Sequence, residues 1–371
     1  MDVPANRSYQ AVMATFVQPF GFRAPGRRSV GLWLLAMALL IAAMVIVGGV
    51  TRLTGSGLSI TQWHPITGII PPLSDQAWQS EFARYRHIPQ YKLENRGMGL
   101  VDFRAIYWWE WTHRLLGRLI GFAFLLPLVY FIAVRAIPRE GISRLVLLFA
   151  LGGLQGFVGW WMVESGLEAR VSVSQYRLAI HLGVALILFG AILWTALQYL
   201  REPHHCRTTP IRSSGILSDK VAFSFLALVY LQMLLGALVA GLHAGLIYNT
   251  WPSMNGHFAP EGGFSLQPWW INVFENPGLA QFDHRMGAYL VAGGAFWLWS
   301  RSGKQAGYVR TSANAILAVT ALQIMLGIAT LLNQAPVALA GLHQATAVAL
   351  LSAALWHAFE LTQDPQAVAS A

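Results

Sequence analysis

The sequence predicts an all-α polytopic membrane protein in which eight transmembrane helices form two parallel-repeat four-helix bundles. Three observations predict this fold class: the composition, a series of long apolar segments and an internal duplication. Of the 371 residues, 55% are hydrophobic and only 11% are charged, against about 25% charged residues in an average soluble domain. This composition disfavours a soluble globular protein and excludes disordered and collagen-like chains.

Eight apolar segments are each long enough to cross a bilayer as a helix, which takes about 20 residues. The segments cover about residues 31–50, 107–134, 143–163, 175–199, 220–242, 278–300, 311–332 and 337–360. Residues 1–30 precede them and lack the short apolar core and cleavage site of a signal peptide. We therefore expect residues 1–30 and 361–371 to be tails that the protein retains.

The loops between these segments differ in basic residues, which predicts the orientation of the chain in the membrane. The loops after the second, fourth and sixth segments carry Arg135, Arg139 and Arg144; Arg201, Arg207, Arg212 and Lys220; and Arg301, Lys304 and Arg310. The loop over residues 243–277 has no Lys or Arg. The basic loops, the linker 201–219 and both tails should therefore be cytoplasmic, and the long loop 51–106 should lie outside.

Charge and cysteine content exclude other classes of site. The net charge is +9, but the basic residues are dispersed between the apolar segments and form no single patch for nucleic acid. The single cysteine, Cys206, excludes an intramolecular disulfide and a CxxC or zinc-ribbon site. We therefore expect no nucleic-acid partner, and we interpret Cys206 as an idle loop thiol.

The two halves of the chain, residues 31–200 and 220–360, are internally similar. The matching stretches are "GGVTRLTGSGL" with "GALVAGLHAGL", "HRLLG" with "HRMG", "LQGFVG" with "LQIMLG", and "IHLGVALILFGAILW" with "LHQATAVALLSAALW". Because each half has an even number of segments, both halves enter the membrane in the same orientation. This arrangement gives parallel repeats and disfavours an inverted-repeat transporter.

Four histidines recur at equivalent places inside the predicted spans: His113 and His181 in the first half, and His284 and His343 in the second. On the predicted boundaries each lies about six residues, or roughly 9 Å, from the outer start of its helix. Ionisable side chains within spans are rare and usually face the bundle interior, which favours a functional site. The alternative is a set of histidines that hydrogen bond between helices.

Two histidines at matching depth on facing helices suit axial ligation of a haem iron. Zinc would need a third or fourth ligand. The pattern therefore predicts two haem pockets near the outer face, one in each half. Arg114 and Arg285 directly follow histidines, so their guanidinium groups could hold haem propionates or contact lipid headgroups.

One acidic residue distinguishes the two halves. Glu110 lies three residues before His113 on the same helix face, whereas Gln281 has the equivalent place before His284. A carboxyl group beside a haem edge can exchange protons or stabilise positive charge, which electron transfer alone does not require. We therefore interpret Glu110 as a candidate catalytic residue, with a helix-start glutamate at the interface as the alternative.

The sequence resembles the heme A synthase family over nearly its whole length. The resemblance rests on "EWTHR", "IHLG", "DHR" and "LHQ", and on the loop stretches "GGVTRLTGSGLSITQWHPITGIIPP" and "NTWPSMNG". It implies an oxidoreductase that converts the C8 methyl group of heme O to the formyl group of heme A, by successive hydroxylations and loss of water. The product would supply cytochrome oxidase.

The resemblance also implies roles for particular residues. His284 and His343 would be the axial ligands of a resident heme b, while His113, His181 and Arg114 would bind the substrate haem. Glu110 would act on the reacting methyl group. The implied partners are heme O, a heme O synthase, an electron-transfer protein and membrane lipid, and the resemblance leaves a homo-oligomer open.

The chain resembles one branch of that family and leaves two other classes of function open. Its long first outer loop is typical of the proteobacterial and mitochondrial branch, and the absence of a clear transit peptide favours a bacterial inner membrane. The paired outer-loop cysteines of some bacterial members are missing, so no role of such pairs transfers. A di-haem b-type electron-transfer protein fits the four histidines equally well, whereas a transporter would need broken spans.

Overall fold

The computed structural model describes residues 26–65, 67–168, 170–201, 218–305 and 307–362. Cys206, most of the linker 201–219 and nearly all of both predicted tails lie outside these residues. The described chain is helical, and its one isolated β-bridge joins Met254 to His257.

Eleven α-helices occur in the described residues, eight of them long and three short. In chain order they are α1 (Arg27–Leu53), α2 (Asp75–Tyr85), α3 (Pro89–Leu93), α4 (Leu100–Ala133), α5 (Arg139–Leu167), α6 (Gln175–Leu200), α7 (Asp219–Gly241), α8 (Asn272–Glu275), α9 (Pro277–Arg301), α10 (Tyr308–Leu332) and α11 (Val337–Thr362). Single turns of 3-10 helix cover Thr67–Ile69, Ala244–Leu246, Trp269–Ile271 and Ser302–Lys304.

Seven of the described helices are long and apolar enough to cross a membrane: α1, α4, α5, α6, α7, α10 and α11. Helix α9 coincides with the remaining predicted span and has 25 residues. It is not among the seven, because Asp283, His284 and Arg285 lie within it and lower its mean hydropathy. The protein is therefore an all-helical, multi-pass membrane protein, as the composition predicts.

Polar side chains explain where several helices begin. Ser74 accepts a hydrogen bond from the Ala77 amide at the start of α2 (3.2 Å). Asn276 accepts one from the Leu279 amide at the start of α9 (3.1 Å), and Pro277 follows it at the first helical position. These are ordinary N-terminal caps, which satisfy amides that have no partner within the helix.

The long helices contact one another in a closed ring within each half. In the first half, α1 and α5 each contact α4 and α6; in the second half, α7 and α10 each contact α9 and α11. The halves meet where α6 contacts α7, where α1 contacts α11, and where α6 contacts α11. The second ring therefore repeats the neighbour order of the first.

The apolar core lies at the junction of the two rings. Leu186 and Ile192 of α6, together with Leu351 and Phe359 of α11, belong to one buried cluster there. Apolar side chains on α5 and α10 point the other way, since Phe157 is 58% exposed and Met325 is 60% exposed. Such outward apolar faces are what a lipid environment requires.

Two long connections, residues 54–99 and 242–276, lie at one end of the helices, which we call the loop end. Their closeness is shown by Arg52, whose Nη2 donates to Nε2 of His243 at 2.8 Å. Residues 54–99, which we call the cap, contain α2 and α3 and share a separate apolar cluster with the first turns of α4. The additional length of the first loop therefore builds a small folded unit over α4.

Candidate functional site

Each of the four predicted histidines packs against a glycine on a neighbouring helix. A Cβ atom at the glycine would come within 2.9 to 3.3 Å of the imidazole. The four pairs are Gly48 with His113, Gly159 with His181, Gly236 with His284, and Gly327 with His343. Because glycine has no side chain, it lets an imidazole lie directly against a helix backbone. The same close approach recurs at repeat-equivalent positions, which makes it a feature of the fold.

The histidines of each half come together as pairs. The ring centroids of His284 and His343 are 6.4 Å apart, with an angle of 82° between the ring planes. Two metal–imidazole bonds of about 2 Å, plus roughly 1 Å from each nitrogen to its ring centre, span about 6 Å. This spacing and the glycine cradles fit a haem iron held between the two rings. In the first half, His113 lies on α4 and His181 on α6, and both of these helices contact α1 and α5.

Three glutamines contact three of these histidines. Nε2 of Gln155 donates to the carbonyl oxygen of His181 (3.0 Å) and lies 3.1 Å from its Nδ1. Nε2 of Gln232 donates to the carbonyl oxygen of His284 (2.8 Å) and lies 3.0 Å from its Nδ1. Nε2 of Gln323 lies 3.4 Å from Nε2 of His343. No described residue makes a comparable hydrogen bond to the ring of His113.

Glu110 is almost fully buried, and both of its oxygens have partners. Oε2 accepts from the Ser59 hydroxyl (2.7 Å) and the Ile60 amide (2.8 Å) of the cap. Oε1 accepts from Nε (3.1 Å) and Nη2 (2.6 Å) of Arg114, which form an ion pair with it. Arg114 in turn donates to the Ile60 carbonyl (2.9 Å). The carboxylate therefore joins α4 to the cap.

Gln281 makes the corresponding connection in the second half with opposite polarity. Its Nε2 donates to the carbonyl oxygens of Ala244 (2.7 Å) and Ile247 (2.6 Å). Its Oε1 accepts from Arg285 (2.8 Å), which also donates to the Tyr248 carbonyl (2.8 Å). The loop offers carbonyl oxygens here, whereas the cap offers an amide and a hydroxyl to Glu110. Each side chain therefore matches its loop: Glu110 accepts from the donors of the cap, and the amide of Gln281 donates to the carbonyl oxygens of the other loop.

Other cationic groups lie at the loop end of the first half. Arg114 and Arg118 line a cavity of about 150 Å³ together with Tyr107, Glu81 and His64. Nη1 of Arg118 and Nε of Arg52 are buried and have no partner among the described residues. These donors could receive an anionic group in addition to Arg114, for which the sequence predicts contact with a haem propionate.

The protonation state of His243 follows from its contact with Arg52. An arginine is always a donor, so the ring nitrogen 2.8 Å away must accept and His243 must be neutral. Partial burial, and then the neighbouring Arg52 guanidinium, lower the pKa of His243. The sequence places this histidine only in a loop, and its contact with the other half is not visible there.

The structure brings the predicted site residues together, but the sequence analysis does not identify the glycines and glutamines that contact the four histidines. Glu110, His113 and Arg114 share α4, and His181 comes to them from α6. The supporting glutamines share one pattern, a glutamine four residues before the glycine that faces the histidine. It occurs in "LQGFVG", "LQMLLG" and "LQIMLG", of which the first and third already stand out as repeats. No group of three or more His, Cys, Asp or Glu side chains that could hold a metal ion occurs in the part of the chain that the structure describes.

The fold and the two histidine pairs define a multi-pass membrane protein with paired imidazoles inside its helix bundles. Residues 31–355 match the COX15-CtaA family, described as cytochrome oxidase assembly protein. The chain belongs to this family, which confirms the resemblance found in the sequence.

Several heme A synthases are similar to the chain over nearly their whole length. The heme A synthase of Parvibaculum lavamentivorans is 49% identical over 333 residues, covering 89% of this chain and 94% of the relative. That of Azorhizobium caulinodans is 49% identical over 348 residues, covering 93% and 97%. That of Nitrosospira multiformis is 46% identical over 340 residues, covering 91% and 95%.

Proposed function

We propose that this protein is a heme A synthase, an oxidoreductase that converts the C8 methyl group of heme O to the formyl group of heme A for cytochrome oxidase. The observation that carries the proposal is a pair of equivalent histidine sites that differ three residues before the first histidine, where the first half has Glu110 and the second half has Gln281. Two equivalent electron-transfer sites would not need this difference. The similarity to heme A synthases along almost the whole chain supports the same function.

The second half would hold a resident heme b through His284 and His343. The spacing of their rings and the glycines beneath them support this assignment. Such a haem would supply one-electron redox chemistry. The chain's own contribution is to hold both imidazoles in place, that of His284 on α9 and that of His343 on α11.

The first half would bind the substrate haem through His113 and His181. Arg114 and Arg118 face one cavity at the loop end, where guanidinium groups can receive propionates. Glu110 would act on the reacting methyl group, because a carboxylate in a water-poor site stabilises positive charge that develops nearby. The bonds from Ser59 and Ile60 would hold this carboxylate in position.

The finer architecture follows from the same proposal. Helix α9 would be the eighth span, the two rings would be parallel repeats, and the tails would lie in the cytoplasm of a bacterial inner membrane. The basic loops and the repeated neighbour order support this arrangement. A heme O synthase and an electron-transfer protein would be the natural partners, since the reaction needs a supply of substrate and an exit for electrons.

Expression in membranes that contain heme O but lack another source of heme A tests this function. Extracted haems should include heme A when the intact chain is present, as measured by chromatography. His284→Ala and His343→Ala should each remove the low-spin haem of the second half. If heme O persists unchanged while the chain carries its haems, the protein is a di-haem electron-transfer protein, the second class that its histidines fit.

A further inference from the structure

Two contacts bound a stretch along which α4 and α5 of the first half run side by side. The rings of Phe124 on α4 and Phe149 on α5 stack with their centroids 6.0 Å apart. Nearer the loop end, Trp111 of α4 and Met162 of α5 both pack against the apolar cluster of the cap. The two contacts are 13 residues apart on each helix, so the stretch between them is about 20 Å long.

Glycines line the facing sides of α4 and α5 within this stretch. Gly121 lies one turn before Phe124, and Gly152 and Gly156 lie one and two turns after Phe149, so the three glycines share the faces on which the two helices meet. Among the described residues, a Cβ atom at any of the three would meet nothing within 4 Å beyond its own helix backbone. Gly152 and Gly156 are also exposed. We call the opening between Gly121, Gly152 and Gly156 the slot.

The second half carries larger side chains at the places equivalent to the slot. The alignment of "LQGFVG" with "LQIMLG" puts Ile324 at the place of Gly156, and Thr320 at that of Gly152 three residues before the glutamine. Thr320 is only 3% exposed, whereas Gly152 is exposed. The same side of the bundle is therefore filled in the second half and open in the first.

The outer rim of the slot is apolar. Phe122 directly follows Gly121 on α4 and is 55% exposed, and Phe157 directly follows Gly156 on α5 and is 58% exposed. Exposed apolar side chains in the middle of membrane-spanning helices contact lipid. The slot therefore opens to the hydrocarbon region of the membrane.

The inner end of the slot adjoins the first histidine site. Gly156 lies one turn before Gly159, which faces His181. Arg118 lies one turn before Gly121 on α4, and its Nη1 is buried without a partner among the described residues. A guanidinium donor of this kind can receive a carboxylate, so the slot connects lipid with a place that suits both the iron and a propionate of a haem.

We propose that the slot is the passage by which heme O enters the first half from the membrane and by which heme A leaves it. This inference rests on the proposed function, in which the first half exchanges its haem. A porphyrin is flat and largely apolar, and its propionates lie along one edge, so it can pass edge-on between two helices with that edge toward Arg118. Thr320 and Ile324 fill the equivalent place in the second half, which retains its haem.

Uptake and release of heme O by the full-length protein in lipid nanodiscs test the proposal. Mixing with vesicles that carry heme O measures uptake by absorbance, and excess haem-free globin measures release. The double variant Gly152→Thr/Gly156→Ile gives the first half the side chains of the second. It should slow both rates by the same factor of about tenfold or more, and a tenfold factor corresponds to about 1.4 kcal/mol of barrier.

The affinity for heme O, which follows from the ratio of the two rates, should stay unchanged in the double variant. A passage alters the rates in both directions equally, whereas a residue of the binding site alters the ratio. Unchanged rates overturn the proposal, and so does an affinity that is weakened by faster release alone.

Gly293→Ile is the matched control. Gly293 is an exposed glycine of α9, and a Cβ atom there also meets nothing within 4 Å among the described residues. The variant adds the same side chain to a helix of the second half, so heme O uptake by the first half should keep its wild-type rate. Slowing equal to that of the double variant would mean that the effect is not specific to the slot.

Thr320→Gly/Ile324→Gly provides the opposite test, because it should open the second half and speed the release of its haem. Retention at the wild-type rate would contradict the role of these two side chains. None of these rates depends on heme A production. A protein that shows the expected rates but makes no heme A would refute the proposed function and leave the passage intact, whereas heme A production with rates that ignore the slot would do the reverse.

Discussion

At the scale of single residues, Glu110 combines a structural function, which is to anchor the cap, with the proposed chemical function beside His113. Glu110 accepts from Ser59 and Ile60, so it anchors the cap as well as standing beside His113. A glutamine at this place could keep its oxygen on Arg114, as Gln281 does on Arg285. Its amide group would then face the Ile60 amide, and an unsatisfied buried donor costs about 1–3 kcal/mol.

Glu110→Gln should lower heme A formation by about a hundredfold or more, equivalent to about 2.7 kcal/mol in the barrier. The reason is that a neutral amide stabilises developing positive charge far less than a carboxylate does. The low-spin haem of the second half should remain. Chromatography of extracted haems measures the product, and a glutamine variant that makes heme A near the wild-type rate would remove Glu110 from the chemistry.

Ser59→Ala is the control for the anchoring role of Glu110. It removes one bond between the cap and Glu110 but keeps the charge, so heme A formation should fall by less than tenfold. Hydrogen exchange of the Ile60 amide reports how far each variant loosens the cap. Equal losses of activity in the serine and glutamate variants would mean that Glu110 acts only by holding the cap.

The histidines and Glu110 could be predicted from the sequence because ionisable residues inside apolar segments are rare and therefore conspicuous. Their supports could not be predicted in the same way. Glutamine and glycine are ordinary within transmembrane helices, and their significance appears only when a facing histidine is known. Gln155 becomes recognisable when "LQGFVG" is aligned with both of its counterparts.

At the scale of elements, the apolar pattern predicts the long helices better than their ends. Helix α6 covers Gln175–Leu200, against a prediction of 175–199. Helix α4 begins at Leu100, seven residues before the predicted start at 107. Its first two turns are amphipathic and pack against the cap, with Phe103 buried there, so hydropathy does not reveal them. His113 therefore lies 13 residues into its helix, whereas the prediction places it about six residues in.

Gly159→Ala should displace His181, because the added Cβ atom would lie 2.9 Å from the ring. We expect a loss of haem from the first half and retention of the second-half haem. Gly156→Ala, one turn earlier on α5, is the matched control, since nothing lies within 4 Å of a Cβ atom there. Alanine is the better helix former by about 1 kcal/mol at both places, so the two variants differ mainly in the contact with His181. Full haem binding by Gly159→Ala would show that His181 does not depend on the space that Gly159 leaves.

At the scale of the whole molecule, the two halves are joined at the loop end by a bond that depends on protonation. Arg52 of α1 donates to neutral His243, which follows α7. The lowered pKa of His243 means that the unfolded chain takes up this proton at a higher pH than the folded chain. The stabilising contribution is therefore complete above pH about 6.5 and is lost as the pH falls through the lowered folded value.

His243→Asn should flatten this part of the pH dependence. Asparagine keeps an acceptor that does not titrate, and it tolerates the left-handed backbone that His243 adopts at φ 51°. Thermal unfolding of the detergent-solubilised protein at pH 7.5 and 5.5 measures the effect. The wild type should lose more stability between these values than the variant, and identical losses would show that the bond to Arg52 does not couple protonation to stability.

The polar residues of α9 have a consequence for how the protein is made. A helix that carries Asp283, His284 and Arg285 partitions poorly into the bilayer as it leaves the ribosome, because acidic and basic residues resist insertion by about 2.5–3.5 kcal/mol each at a helix centre. Helices α7 and α10 are apolar neighbours of α9 in the chain and contact it in the fold. If α9 is the eighth span, as proposed, its insertion should be completed only with these partners, so that the second histidine pair is assembled by the same event that brings this polar helix into the membrane.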